Sequence, residues 1–153
     1  AVVRTFSKGF GAAGVRLGYC IAQPQIMAAF HKVNIPFSKN SLADAFAIQA
    51  MQARWAQKTL ERVKQDKPKL LAALAECEHL HVAHTSPGVS ISMLYVDDEQ
   101  INLEKVLSHA GVRVVTCSGY DGLGCNAIRL NLHEDIDTLT NLVRKADDLV
   151  LHA

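Results

Sequence analysis

A lysine and an arginine eight positions apart, Lys8 and Arg16, are the residues of this sequence whose types and spacing could do chemistry. The stretch that holds them reads TFSKGFGAAGVRLG from Thr5 to Gly18. Thr5 and Ser7 put hydroxyls on the N-terminal side of the lysine. Gly9, Gly11 and Gly14 remove side chains where a backbone or a bulky ligand must approach closely. A lysine at a strand end, hydroxyls before it and an arginine beyond a glycine-rich bend suit a bound phosphate ester with an amine nucleophile beside it. The surrounding charge agrees: residues 1–43 carry Arg4, Lys8, Arg16, Lys32 and Lys39 and no acid before Asp44. That local cationic field favours an anionic ligand.

Two other readings of the same stretch are weaker. Gly9 to Gly14 is formally G-x-G-x-x-G, but a dinucleotide site needs a helix starting at the glycines and an acid about twenty positions on. Here Val15–Ala22 reads as a strand, and no Asp or Glu falls in that window. A solvated structural turn is the other possibility, and it leaves the order of Ser, Lys and Arg unexplained.

The elements that position these groups follow from pattern and punctuation. Val2–Val3 reads as a buried strand end and Val15–Ala22 as a second strand. Pro24 suits the first turn of a helix whose apolar face is Ile26, Met27, Phe30 and Val33. The stretch 34–40 breaks it. From Ser41, a plausible N-cap, a helical pattern with Leu42, Phe46, Ala53, Ala56, Leu60 and Val63 runs to about Gln65, long enough at roughly 37 Å to join two domains. Trp55 within it reads as core or interface. Pro68 predicts a kink or restart, with helix continuing to about Glu78.

Residues 79–132 read as a small α+β unit. Its expected strands are 79–84, 89–96, 112–117 and 126–132, with a helix over 102–110 capped by Asn102 and stopped by Gly111. The last helix, about Ile136–Leu151, carries Ile136, Leu139, Val143, Ala146 and Val150 at amphipathic spacing. Arg129, inside an alternating apolar strand after a glycine-rich loop, stands apart from ordinary surface arginines; Arg113 reads as solvated. His79, His81 and His84 do not form a metal set, because the strand period turns His84 away and no further ligand completes it.

Composition bounds the rest. The 153 residues are 49% hydrophobic and 20% charged with net charge +1, which gives no reason to expect nucleic acid or an anionic membrane. No apolar run reaches bilayer-spanning length. Cys20, Cys77, Cys117 and Cys125 lack a C-x-x-C pair and read as free thiols in a reducing cytoplasm.

The SKGFGAAGVRLGY stretch resembles the active site of class I/II aminotransferases, the pyridoxal-phosphate enzymes of fold type I, and most of all their histidinol-phosphate aminotransferase-like branch. The resemblance implies an α/β fold: the end of the large pyridoxal-phosphate-transferase domain (residues 1–40), a long linking helix kinked near Pro68 (41–78) and a small C-terminal α+β domain (79–153). It implies that Lys8 forms the Schiff base with pyridoxal 5'-phosphate and shuttles the substrate's Cα proton. Arg16, with Thr5 and Ser7, holds the cofactor phosphate. AIRLNL over 127–132 resembles the family strand whose arginine, here Arg129, binds the substrate carboxylate by a bidentate fork.

The implied activity is amino transfer between an L-amino acid or amino-phosphate substrate and a 2-oxo acid. The implied setting is a cytoplasmic homodimer when full length, with no nucleic acid or membrane partner. In this family the stretch lies past the middle of the subunit, so the chain is expected to be a C-terminal portion. The ring-stacking loop, the acid at the ring nitrogen and the tyrosine at the ring hydroxyl have no counterpart here, and Asp44 and Tyr19 lie in the wrong elements. Little or no activity is therefore expected from the chain alone. The family's Asn-Phe near 86–91 is replaced by Ser-Pro-Gly-Val-Ser-Ile, which leaves the substrate side chain open. A decarboxylase or lyase of the same fold, and a non-catalytic effector-binding domain, are the alternatives.

Overall fold

The computed structural model describes residues 1–153 except Pro36, Phe37 and Lys39. The helix-breaking stretch 34–40, which includes Lys39, therefore lies partly outside the described residues. The chain divides into two compact units, Ala1–Glu61 and Arg62–Ala153.

In the first unit, β1 (Val2–Thr5) and β2 (Gly18–Ile21) form an antiparallel hairpin in the register Val2↔Ile21 to Thr5↔Gly18. Gly18 is required by contact: a Cβ there would sit 2.7 Å from the Arg4 carbonyl oxygen. Helices α1 (Pro24–Val33), α2 (Ser41–Gln52) and the start of α3 (Trp55–Ala75) follow. A small apolar cluster holds the unit: Phe6, Ala12 and Ala47 are buried, with Phe10, Val15, Leu17 and Phe46 against them.

The second unit contains the rest of α3, β3 (His81–Val82), β4 (Ile91–Tyr95), α4 (Leu103–Ala110), β5 (Val115–Thr116), β6 (Ala127–Asn131) and α5 (Ile136–Val150). Its four strands pair antiparallel in the order β3-β4-β6-β5. Period-two alternation divides the sheet residues. Leu94, Ile128 and Leu130 join Leu70 and Leu74 of α3, Val106 and Leu107 of α4, and Val143 of α5 in one core. Arg129 alternates to the opposite face, with Met93 and Val115 as its cross-strand partners. Asp147, buried on α5, accepts from the backbone N–H groups of Glu78, His79 and Leu80 at 2.8, 2.9 and 2.7 Å, closing the donors that follow α3.

Helix α1, Asn102 as the cap of α4 and Gly111 at its left-handed C-terminus lie where the sequence places them. Elsewhere the elements differ. The helical pattern from Ser41 is two helices. Asn40, not Ser41, is the cap, because its amide oxygen reaches the Ala43 N–H at 2.7 Å. Arg54 adopts φ 56, a left-handed conformation that cannot continue a right-handed helix, and this ends α2. Leu42 is 81% exposed, and α2 buries Ala43, Ala47 and Ala50 instead. Helix α3 runs through Pro68, whose missing N–H is offset by burial of Val63, Leu70, Ala73 and Leu74. Val15 belongs to a short 3-10 turn (Ala13–Val15), so the second strand starts only at Gly18.

Helix α5 begins on an Asp135 cap: Oδ1 accepts from the Thr138 N–H at 3.0 Å and Oδ2 from the Thr138 hydroxyl at 2.7 Å. These bonds favour the carboxylate and lower its pKa. A lowered folded-state pKa gives stability that is present above the unfolded value, about 3.9, and disappears as pH falls through the folded one. Asp135→Ala is thus expected to lower the melting temperature at pH 7 and to have progressively less effect below about pH 4, as thermal unfolding across that range would read.

Candidate functional site

The geometry around Lys8 begins with the hairpin. One rung beyond the Thr5↔Gly18 pair, the Phe6 N–H donates to the Leu17 carbonyl at 3.0 Å. Ser7 and Arg16 therefore leave the ladder together, and residues 7–16 form the loop between them. The loop is folded on itself by two further bonds. Gly11 N–H donates to the Lys8 carbonyl at 3.0 Å, and Ala12 N–H to the Phe6 carbonyl at 3.2 Å. Gly11 takes φ +62, a conformation that favours glycine. The Phe6 ring, 3% exposed, stacks on Phe10 with centroids 4.5 Å apart and meets Tyr19 edge-on at 6.1 Å. Aromatic burial, worth about 1.5–3 kcal/mol for one such ring, pins the loop from beneath.

On this loop the polar groups gather at one end. The Thr5 hydroxyl donates to the Ser7 Oγ at 2.9 Å and accepts from the Ser7 N–H at 3.0 Å. Arg16 adopts φ 56 and ψ 47, and its Nη1 donates to the Ala13 carbonyl at 2.9 Å, leaving the other guanidinium donors unengaged among the described residues. Lys8 is exposed, and its amine has neither a hydrogen-bond nor an ion-pair partner among the described residues. An amine, two hydroxyls and an arginine fork carried at the stems of one loop are groups of the kind that hold a phosphate monoester and present a nucleophile to it.

In the second unit, Arg129 is half-buried at the centre of β6. Its Nε is buried and without a hydrogen-bond partner among the described residues. Cys117 lies within its field: burial pushes the thiol pKa up, and the Arg129 charge draws it partly back. Arg129 thus holds a charged donor group in the middle of the sheet with one N–H unsatisfied among the described residues. Arg113 is exposed at the edge of the same unit, as expected. The His81 ring lies tilted against Tyr95, with centroids 5.4 Å apart, and approaches Asp97 at 3.6 Å. No group of three or more metal-ligating side chains occurs among the described residues. Trp55 meets Phe46 edge-on at 5.7 Å, an apolar contact.

One polar residue of the second unit was not singled out from the sequence: Lys67, fully buried on α3. Its signal is positional, because Val63, Lys67, Leu70 and Leu74 share one apolar helix face.

The family model for aminotransferase class I and II matches residues 1–145, and the chain belongs to that family. It is 40% identical over 90 residues to an aromatic amino acid aminotransferase of Nocardia farcinica, covering 59% of this chain and 23% of the relative. It is 32% identical over 127 residues to histidinol-phosphate aminotransferase 2 of a Nostoc species, covering 77% and 33%. Among solved structures, L-threonine-O-3-phosphate decarboxylase from Porphyromonas gingivalis superposes with TM-score 0.77 at 21% identity, over 99% of this chain and 46% of that one. Histidinol-phosphate aminotransferase from Sinorhizobium meliloti in complex with pyridoxal-5'-phosphate superposes with TM-score 0.74 at 20% identity, over 95% and 40%. The chain has the α/β fold of these proteins and spans a third or less of the curated relatives it matches here.

The orphaned Nε gives a stability test. A buried polar group without a partner costs about 1–3 kcal/mol. Arg129→Met, which keeps the apolar stem and removes the donor, is therefore expected to stabilise the chain by about 1 kcal/mol in urea unfolding.

Proposed function

We propose that this chain carries the cofactor lysine, the phosphate anchor and the substrate arginine of a pyridoxal-phosphate-dependent aminotransferase that acts on an L-amino acid or amino-phosphate and a 2-oxo acid. The observation that carries the reading is the hairpin closure that brings Ser7–Lys8 and Arg16 to the same end of one loop. The residues fit the group. Lys8 supplies an unpaired amine, Thr5 and Ser7 supply hydroxyls 2.9 Å apart, and the exposed Arg16 fork supplies the charge for a phosphate dianion. Pyridoxal phosphate, when bound, supplies an electron sink for the charge left at the substrate Cα.

Each side chain then has one task. Arg16, Thr5 and Ser7 anchor the phosphate, so that the cofactor's orientation is set by a part that does not react. The Lys8 Nζ, once released, accepts the Cα proton and returns it, acting as general base and then acid. Arg129 receives the α-carboxylate through two parallel N–H bonds, which fixes the orientation of the bond to be broken. The proposed division of labour assigns residues 1–40 to the large cofactor domain, the helices over 41–78 to the link and 79–153 to the small domain. A cytoplasmic homodimer is the proposed working form, and the 153-residue chain alone is expected to show little turnover. The Porphyromonas gingivalis structure is that of a decarboxylase, so loss of the carboxylate instead of amino transfer is the second reading. Product analysis of the full-length protein with candidate amino acids separates the two.

The test uses the visible absorbance of added pyridoxal phosphate. Lys8→Ala is expected to abolish the lysine-bound band while far-UV circular dichroism stays unchanged. Arg16→Met is expected to keep the band and weaken cofactor affinity about 10- to 100-fold, the worth of a charge-assisted hydrogen-bond pair. A band that survives Lys8→Ala intact would overturn the assignment.

A further inference from the structure

Lys67 is 0% exposed, yet no carboxylate among the described residues pairs with it. Its Nζ instead donates to four neutral oxygens: Thr85 Oγ1 at 2.5 Å, the Val89 carbonyl at 2.6 Å, the Ser86 carbonyl at 3.0 Å and the Ile91 carbonyl at 3.2 Å. The Thr85 hydroxyl, which accepts from Lys67, in turn donates to the Ile91 carbonyl at 3.2 Å. An ammonium has three donors. Four acceptors around it therefore coordinate the charge rather than satisfy bonds one by one, as carbonyl rings do when they replace the hydration shell of a monovalent cation.

The cradle is contiguous with the sheet that carries Arg129. The Ser90 carbonyl accepts from the Leu132 N–H at 2.8 Å. Ile91, which contributes one cradle oxygen, pairs with Asn131, and Met93 pairs with Arg129 itself. Without the ammonium, the Ser86 and Ile91 carbonyls keep the Val89 N–H and the Thr85 hydroxyl as donors, at 3.2 Å each. The Val89 carbonyl, however, loses its 2.6 Å bond, and the group that draws the three oxygens together is gone. We propose that Lys67 is a tethered cation whose ammonium organises the Thr85–Ile91 loop and thereby fixes the start of β4 against the strand bearing Arg129. The part concerning Arg129 rests on the reading of that residue as the carboxylate receiver; the cation cradle does not. Burial lowers the Lys67 pKa by disfavouring the charged form, and the four oxygens oppose that cost by accepting from the ammonium.

Hydrogen exchange of the whole chain, followed by mass spectrometry, tests the cradle. In Lys67→Met, which keeps most of the volume and removes the charge, amides of 85–92 should exchange at least about tenfold faster while those of α4 and α5 keep their wild-type protection. In Lys67→Ala, added n-propylammonium, which replaces the missing segment together with its charge, should restore protection, and the neutral isostere n-propanol should not. Lys67→Arg should keep more protection than Lys67→Met. Unchanged exchange at 85–92, loss of protection spread evenly over the second unit, or equal rescue by propanol would overturn the tethered-cation role. Should Lys67→Ala not fold, the Met and Arg variants decide it. The link to Arg129 is read at Cys117, whose thiol lies in the guanidinium's field: its titration should move upward in Lys67→Met. A loosened loop with an unmoved Cys117 would sink the positioning part alone, and carboxylate binding by Arg129 would remain a separate question.

Discussion

The hydrogen bond from the Phe6 N–H to the Leu17 carbonyl, 3.0 Å long, is the constraint on which the proposed chemistry depends. It adds the last rung to a short ladder, and everything between Ser7 and Arg16 must then turn back within ten residues. The loop turns with Gly11 at positive φ, and its first and last residues, Ser7 and Arg16, flank the closing rung. The Phe6 ring beneath, wedged among Phe10, Ala12 and Ala47, keeps the loop from collapsing onto its own polar groups. The lysine amine and the arginine fork thus stay exposed without carboxylate partners among the described residues, free to meet an anionic ligand.

The second unit makes a related compromise. One face of its sheet is committed to the core with α3, α4 and α5, and the period of two carries Arg129 to the other. That face is neither open enough to solvate the Nε nor polar enough to bond it. Interior charges elsewhere in the unit are handled differently. Asp147 is matched to three backbone donors and Lys67 to four oxygens. Against those two saturated groups, the orphaned donor on Arg129 is the exception among the described residues.

Much of this was legible in the residues themselves. The order Ser-Lys, glycines, Arg, Gly-Tyr points to the family that the match over residues 1–145 establishes. Amphipathic spacing located α5, and cap chemistry located α4 to within a residue. What was not legible has identifiable causes. The break at Arg54 has no glycine or proline to announce it, because a left-handed arginine carries no sequence signature. At Pro68 the helix continues, as its apolar pattern beyond the proline indicates, with Leu70, Ala73 and Leu74 buried after it. Strands such as β3 and β5, two residues each, are shorter than the apolar runs that predict them, because pairing in a twisted sheet ends before hydrophobicity does. The role of Lys67 depends on oxygens 18 to 24 positions away in the chain, a distance over which no local pattern operates.

The central claim is that one amine of this chain, and no other, stands where a phosphate-anchored aldehyde would meet it. Borohydride fixation of pyridoxal phosphate on the folded chain, followed by peptide mapping, measures this directly. The account predicts a single phosphopyridoxyl label on the Lys8 peptide, suppressed by competing inorganic phosphate. Labelling distributed over the surface lysines, or concentrated on a lysine other than Lys8, would contradict it.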